Sequence, residues 1–334
     1  MKKSFQHLFI WVCASLLLLV LVGCTSDNTD DDGTREPLVL PATVVAPTDA
    51  ATQQSAPGSG WHEHDRVALQ IGQTVKIYEA SSANGGQLMA IAEEEPFYWT
   101  RGTSTVNIKG WYLGGGQTQR TMPATWAVAA DQNADDGAGF EASEFIFAPL
   151  AAVTNVPGNR FRRTIHFYHQ TSKVIVRVKK VGILVDESER YQLTSVTIGD
   201  AQHVLVMEAA FAEPDAGSYG TWAPTSETGF IVPHDVTATL SGDEAEAYLQ
   251  RYEALLIPQD MDYKPLLAFT ISENGNPSTY YYLPQVGEAD FAPGYQYIYD
   301  IEVTRQGLVV TPTVYLRPFS ATADLPSGVA LVDE

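Results

Sequence analysis

The chain is predicted to be all-β, built from antiparallel β-sandwiches. Three observations carry this. Short apolar runs recur along the chain with Gly, Pro, Asn and Asp between them, the pattern of strands joined by turns. Several runs alternate strictly: Val174, Val176 and Val178 share one face, and Arg177 and Lys179 share the other. Only Ser241–Arg251 has a clear helical period, so the sequence reads as strands with one short helix inserted in the second half.

The N-terminus reads as an export segment. Lys2 and Lys3 precede the apolar run Leu8–Val22, which is too short and wrongly flanked for a stable transmembrane helix. A charged head, an apolar middle and small residues before a cleavage point describe a secretory signal. Leu21-Val22-Gly23-Cys24 resembles a bacterial lipobox, which implies cleavage between Gly23 and Cys24 and acylation of Cys24. Thr25–Asp32 is strongly acidic with no apolar face to bury, so residues 25–36 read as a solvated tether. An acidic cluster just after the lipidated cysteine also resembles the surface-export signal of Bacteroidota lipoproteins. The expected location is the outer-membrane surface, on a lipid anchor.

Leu38–Leu40 and Thr43–Val45 read as a first strand that Pro41 interrupts, which favours a sheet edge. Thr48–Gly60 has no apolar period and reads as a flexible loop. Trp61 and Val67–Ile71 follow, then Val75–Tyr78, a turn at Asn84-Gly85-Gly86, Phe97–Trp99 and Val106–Tyr112. Val106 and Ile108 alternate with Asn107 and Lys109, which marks a half-buried strand. Gly114-Gly115-Gly116 breaks it, Asp131–Gly139 reads as an acidic, Gly-rich loop, and Phe145–Ala148 as a short apolar strand. Val153–Arg163, with Pro157, Gly158 and Asn159, separates two strand-rich halves. The expected domains are therefore 37–158 and 159–317.

In the second half, Arg163–Tyr168, Ser172–Lys179, Gln192–Ile198 and Val204–Phe211 read as strands. Ser241 and Glu244 have capping-box spacing, and Ala245, Tyr248, Leu249 and Tyr252 fall on one helical face. Leu255–Gln259 reads as a short buried strand that Pro258 stops. Leu266–Ile271 and Tyr280–Leu283 read as neighbours joined through Asn274–Pro277. The last hairpin alternates Tyr295, Tyr297, Tyr299, Ile301 and Val303 with Gln296, Asp300 and Glu302, turns at Arg305-Gln306-Gly307 and returns through Leu308–Leu316. Residues 318–334 are a tail whose apolar end, Val329–Val332, is a candidate donor strand for a neighbouring subunit or a strand of its own sheet.

The chain of 334 residues has 20 Lys and Arg against 40 Asp and Glu, a formal net charge of −20. The signal holds Lys2 and Lys3 and no acid, so its loss leaves about −22. Such a chain repels phosphate backbones, which excludes a nucleic-acid role. Cys13 leaves with the signal and Cys24 is the lipid site, so the mature fold has no disulfide, thiol nucleophile or Cys-based metal site.

Four stretches resemble the fimbrillin, or Mfa-like, family of Bacteroidota lipoproteins: Trp61–Leu69, Phe167–Val174, Leu255–Gln259, and Pro293–Tyr299 running through Leu316. The resemblance implies two stacked transthyretin-like β-sandwich domains and a fimbrial (pilus) subunit or related surface adhesin. It implies other fimbrial subunits as partners, with host or bacterial surface ligands. In this family an Arg-specific protease removes an N-terminal strand from shaft subunits, and the next subunit fills the groove by strand addition. Anchor subunits keep their N-terminus and lipid. Pro47–Thr52 lacks the arginine often found there. The nearest processing candidates are Arg35, before the first strand, and Arg66, inside a strand motif. This departure favours an anchor, tip-associated or stand-alone lipoprotein over a shaft subunit.

No motif for catalysis or phosphate binding is present, and no cofactor is expected. His62 and His64 share a parity, as a metal pair requires, but lack a third ligand, and Asp65 is expected to point away. His166 and His169 are expected on opposite faces. Asp135-Asp136 and Glu93-Glu94-Glu95 read as solvated acids, and Asp131–Asp136 lacks the EF-hand pattern. Trp99, Trp111, Tyr112 and Trp126 read as core, or as a stacking platform for sugars. The leading reading is a structural or adhesive surface lipoprotein, not an enzyme. The alternative is a surface glycan-binding lipoprotein of a nutrient-uptake system, and a hydrolase comes third.

Overall fold

A computed structural model describes residues 36–45, 61–62, 64–81, 87–99, 105–114, 119–155, 164–315 and 330–331. The signal segment with Gly23 and Cys24, the tether through Arg35, the Thr48–Gly60 loop, the Asn84–Gly86 turn, Pro157–Asn159 and most of the C-terminal tail lie outside the described residues.

In chain order the first strands are β1 (Glu36–Pro37), β2 (Leu40–Val45), β3 (Arg66–Ile71), β4 (Thr74–Ser81), β5 (Gln87–Ala90), β6 (Tyr98–Trp99), β7 (Thr105–Tyr112), β8 (Thr125–Ala127), β9 (Ile146–Thr154) and β10 (Ile165–His169). Seven of them close into a barrel in the order β10-β2-β5-β4-β3-β7-β9. Of the expected boundary segment only residues 153–155 are described, and β10, beyond residue 158, completes this first sheet by pairing with β2 and β9.

The chain continues through β11 (Ser172–Gly182), β12 (Tyr191–Ile198), β13 (Leu205–Val206), β14 (Glu208–Ala212), β15 (Thr221–Pro224), β16 (Thr228–Gly229), β17 (His234–Asp235), β18 (Tyr248–Leu256), β19 (Leu267–Glu273), β20 (Asn276–Tyr282), β21 (Gln296–Thr304), β22 (Gly307–Tyr315) and β23 (Ala330–Leu331). The second large sheet runs β17-β18-β11-β21-β22-β23, with a three-stranded sheet β12-β19-β20 beside it. A further small sheet, β15-β14-β8, joins a strand of the first half to the second. The β19–β20 hairpin turns on Asn274 and Gly275, both at positive φ (50° and 86°), as a tight two-residue turn requires.

The all-β class stands, with three corrections. First, the sheets are mixed: β2 runs parallel to β10 and β11 runs parallel to β21. Second, β2 is not an edge strand. Pro41 lies where β2 meets β5, and Ala42–Val45 pair with β10 on the other side. Third, the helix is half the expected length. It spans only Gly242–Ala247, and Ser241 makes no side-chain cap. From Tyr248 the chain is extended because the period changes to two: Gln250, Tyr252, Ala254 and Leu256 lie opposite Val178, Val176, Val174 and Ser172 of β11. Four other short helical turns occur among the described residues: a 3-10 turn at Ala134–Gly137 and the helix Ala138–Ala142, here α1, replace much of the expected acidic loop, Ile183–Asp186, here α2, follows β11, and a second 3-10 turn spans Thr237–Thr239. The Gly242–Ala247 turn is α3.

The core forms two clusters. Leu40, Leu69, Tyr78, Ile108 and Phe167 fill the first sheet. Val174, Val176, Val178, Phe269, Tyr282 and Tyr299 fill the second, larger cluster, which also takes Ala68, Trp111 and Phe147 from the first sheet. Strands β3, β7 and β9 are thus buried on both faces over part of their length, at Val67–Leu69, Gly110–Tyr112 and Ile146–Ala148. Phe211 of β14 packs edge-on against Phe145 and Phe147, with ring centroids 4.7 and 5.7 Å away, all three within the larger cluster.

Candidate functional site

Only Gln170 and Thr171 separate β10 from β11, and both are buried. This short crossing is fixed by polar bonds. Gln170 Nε2 donates to the carbonyls of Tyr168 and Ser218, and its Oε1 accepts from Gly220 N. Ser172 Oγ donates to the Ala292 carbonyl. Gln132, from the loop before α1, holds β18 with its amide: Nε2 donates to the Leu255 carbonyl at 2.7 Å and Oε1 accepts from Leu255 N at 2.8 Å.

Beside this crossing lies a cavity of about 590 Å³. Its walls come from four separate stretches, Trp61, His62, His64 and Asp65 before β3, Phe140–Ile146 around α1, His169–Lys173 at the crossing and Gly294–Gln296 leading into β21, and from two single residues, Tyr112 and Leu255. Gly294 is required there. Its φ is 74°, and a Cβ would stand 2.5 Å from the Tyr219 ring.

The cavity lining is aromatic and acidic. Trp61 packs edge-on against Tyr112 and Phe167, at 5.7 and 5.1 Å. Tyr112 Oη donates to Asp65 Oδ1 at 3.2 Å, and burial together with Asp65 pushes the phenol's pKa well up. His169 Nδ1 lies 2.8 Å from Glu144 Oε1. Burial alone raises the pKa of Glu144, but His169, with Lys173 and His62 behind it, outweighs that and holds the carboxyl below its ordinary range. Lys173 Nζ sits 2.6 Å from Glu253 and 5.5 Å from the Phe140 ring centre.

The histidine pair falls at the cavity rim. His62 and His64 side chains are 94% and 74% exposed, in the turn before β3. Asp65 does not point away from them: its Oδ2 accepts from His62 N at 2.8 Å. His64 Nδ1 lies 2.7 Å from Glu79. His166 and His169 have separate partners, Thr43 and Glu144. Among the described residues no group of three His, Cys, Asp or Glu is placed to hold a metal ion. Arg66 begins β3 opposite Glu79, its Nε 3.7 Å from the carboxylate. Trp99, Trp111, Tyr112 and Trp126 are at most 9% exposed, so they form core rather than an open platform. Sequence reasoning missed Phe140, Glu144, Thr171 and Lys173 as site residues. The available signal was the polar run His169–Lys173 set between two apolar strands.

The chain is a β protein of mixed sheets around a core in two clusters, and comparison with known proteins places it more closely. The fimbrillin-like family matches residues 51–315, and the chain belongs to that family. Solved structures share the fold. One is a candidate cell adhesion protein of Bacteroides uniformis, 16% identical, with a TM-score of 0.56 over 83% of this chain and 96% of that one. Another is a candidate cell adhesion protein of Bacteroides ovatus, 16% identical, with a TM-score of 0.55 over 86% of this chain and 99% of that one. No curated protein sequence matches the chain.

Proposed function

We propose that this protein is a fimbrial-type adhesive subunit at the cell surface, anchored in the outer membrane through acylated Cys24 and retaining its first strand. Membership of the fimbrillin-like family across residues 51–315 carries the reading. Assembly with other fimbrial subunits proceeds by strand addition, which uses main-chain hydrogen bonds at a sheet edge or vacated groove. The two sheet systems correspond to two tandem transthyretin-like sandwiches. The role is structural rather than catalytic.

Retention of the first strand is supported by where the arginines lie. A cut after Arg35 leaves β2 in place between β10 and β5. A cut after Arg66 requires β3 to open between β4 and β7, where Arg66 faces Glu79. Mass spectrometry of the mature N-terminus from intact cells tests this. Acylated Cys24 is the expected start. A start at Glu36 means release from the lipid with β2 retained. A start at Val67 overturns the anchored reading in favour of a polymerising shaft subunit.

The tail is a second test of assembly. Ala330 and Leu331 pair with Val310 and Val309 of β22 in the same chain. If the tail donates to a neighbour, truncation after Leu316 abolishes assembly. If assembly is unchanged, the tail serves its own sheet.

A further inference from the structure

Five polar residues are fully buried among the described residues: Gln132, Ser143, Gln170, Thr171 and Ser172. Four have side-chain hydrogen bonds; Ser143 Oγ, for example, donates to the Gly139 carbonyl and accepts from Ala129 N. Thr171 differs. It is 1% exposed, it lines the cavity, and its hydroxyl has no partner among the described residues. A buried hydroxyl left unpaired is destabilising. Asn155 Oδ1, Gln250 Oε1 and Arg251 Nε are also buried without a hydrogen-bond partner among the described residues, but of these four groups only Thr171 lines the cavity, where a ligand can supply the missing bond.

The rest of the lining says which ligand. Asp65, Glu141 and Glu144 are carboxylates on the cavity wall; Glu144 is paired with His169, and the one lysine of the wall, Lys173, with Glu253. The wall therefore carries net negative charge, inside a protein of formal charge −20, which repels anions and draws cations. Trp61, Tyr112, Phe140 and Tyr295 add aromatic surface, which attracts cations through the ring quadrupole. The site already holds one ammonium against an aromatic ring, that of Lys173 over Phe140. The volume of about 590 Å³ falls in the usual range for small-ligand pockets.

We propose that this cavity binds an organic cation: an ammonium or guanidinium group on an aliphatic stem, from a lysine or arginine side chain of another polypeptide or from a free polyamine. The stem lies against the aromatic wall, the charged head meets Glu141 and Glu144, and the Thr171 hydroxyl accepts a hydrogen bond from it. This site goes beyond the assembly role and stands whether or not the protein polymerises.

The test is calorimetric titration of the protein, purified in detergent, with five probes: doubly capped lysine, doubly capped arginine, doubly capped norleucine as the uncharged counterpart, spermidine, and maltotriose. Capped lysine or arginine is expected to bind at least about tenfold tighter than norleucine. Glu141→Gln, on the exposed side of α1, is expected to weaken that binding about threefold with no change in Tm. Tighter binding of spermidine than of the capped residues assigns the free polyamine as the source. The reverse order assigns a side chain of a partner polypeptide. Three outcomes overturn the proposal: norleucine binding as well as lysine, maltotriose binding alone, which makes the cavity a carbohydrate site, and no binding by any probe. These titrations are independent of the N-terminal mass and of assembly, so failure here leaves the fimbrial reading untouched.

Discussion

Each half of this molecule contains one parallel ladder in an otherwise antiparallel sheet, and the two are embedded very differently. In the second sheet, β11 and β21 form the centre, flanked by β18 and β22, with Val174, Val176, Tyr297 and Tyr299 all buried beneath them. In the first sheet, β2 meets β10 over Ala42–Val45 and β5 only at Leu40 and Pro41. The first strand is interior by position yet held by two short ladders. Position in a sheet and dependence of the sheet on a strand are therefore separate properties. A strand can be surrounded and still be a local addition.

The largest effect expected is at the central ladder. Tyr299 is fully buried, and its hydroxyl donates to the Glu288 carbonyl at 2.6 Å. Tyr299→Ala should cost about 3–5 kcal/mol in urea denaturation followed by circular dichroism. Leu40 of β2 is equally buried, but Leu40→Ala should fall near the lower end for such a change, about 2 kcal/mol. Hydrogen exchange should show β2 amides opening at lower free energy than those of β11. Equal cost and equal protection would break the comparison.

Acid sharpens it next. Burial tends to raise the pKa of Glu253, but Lys173 and Arg251 outweigh this and hold it below its ordinary value of 4.5. Glu144 is likewise lowered, through His169. A carboxylate with a depressed folded value stabilises the fold above its unfolded pKa, and that stability is lost as pH falls through the folded value. Tm should therefore drop as pH falls below about 4.5, and Glu253→Gln should flatten that drop. A slope unchanged in Glu253→Gln would show that its ion pairs contribute nothing. The smallest effect is at the crossing between the sheets. Thr171→Val removes an unpaired hydroxyl and should be neutral or stabilising by up to about 1 kcal/mol, while Ser172→Ala should cost about 1 kcal/mol. A clear loss in Thr171→Val would mean that the hydroxyl is satisfied in the folded protein.

The elements with a strict period of two were legible in the sequence. Val174, Val176 and Val178 lie on the core as expected, and the closing hairpin pairs Gln296–Thr304 with Gly307–Tyr315. Parallel pairing was not legible, because period two sets which face is buried and not which neighbour lies alongside. Tyr248–Tyr252 shows how a helical spacing misleads: Tyr248, Leu249 and Tyr252 fit a helix face, yet the ladder offered by β11 takes the segment from Tyr248 onward. The cavity was hidden for a different reason. Its walls come from stretches more than 200 residues apart, and the unpaired state of Thr171 is a property of the packed fold alone.

The two-residue crossing at Gln170 and Thr171 has a mechanical consequence. A protein on a cell surface is loaded by shear and pull. A hinge between two bodies needs slack, and this crossing has none: both residues are buried, and the Gln170 side chain is bonded on two sides. Tension passing from β10 to β11 is therefore carried by hydrogen bonds rather than absorbed by an uncoiling linker. The molecule should transmit force as a stiff coupling until its ladders shear.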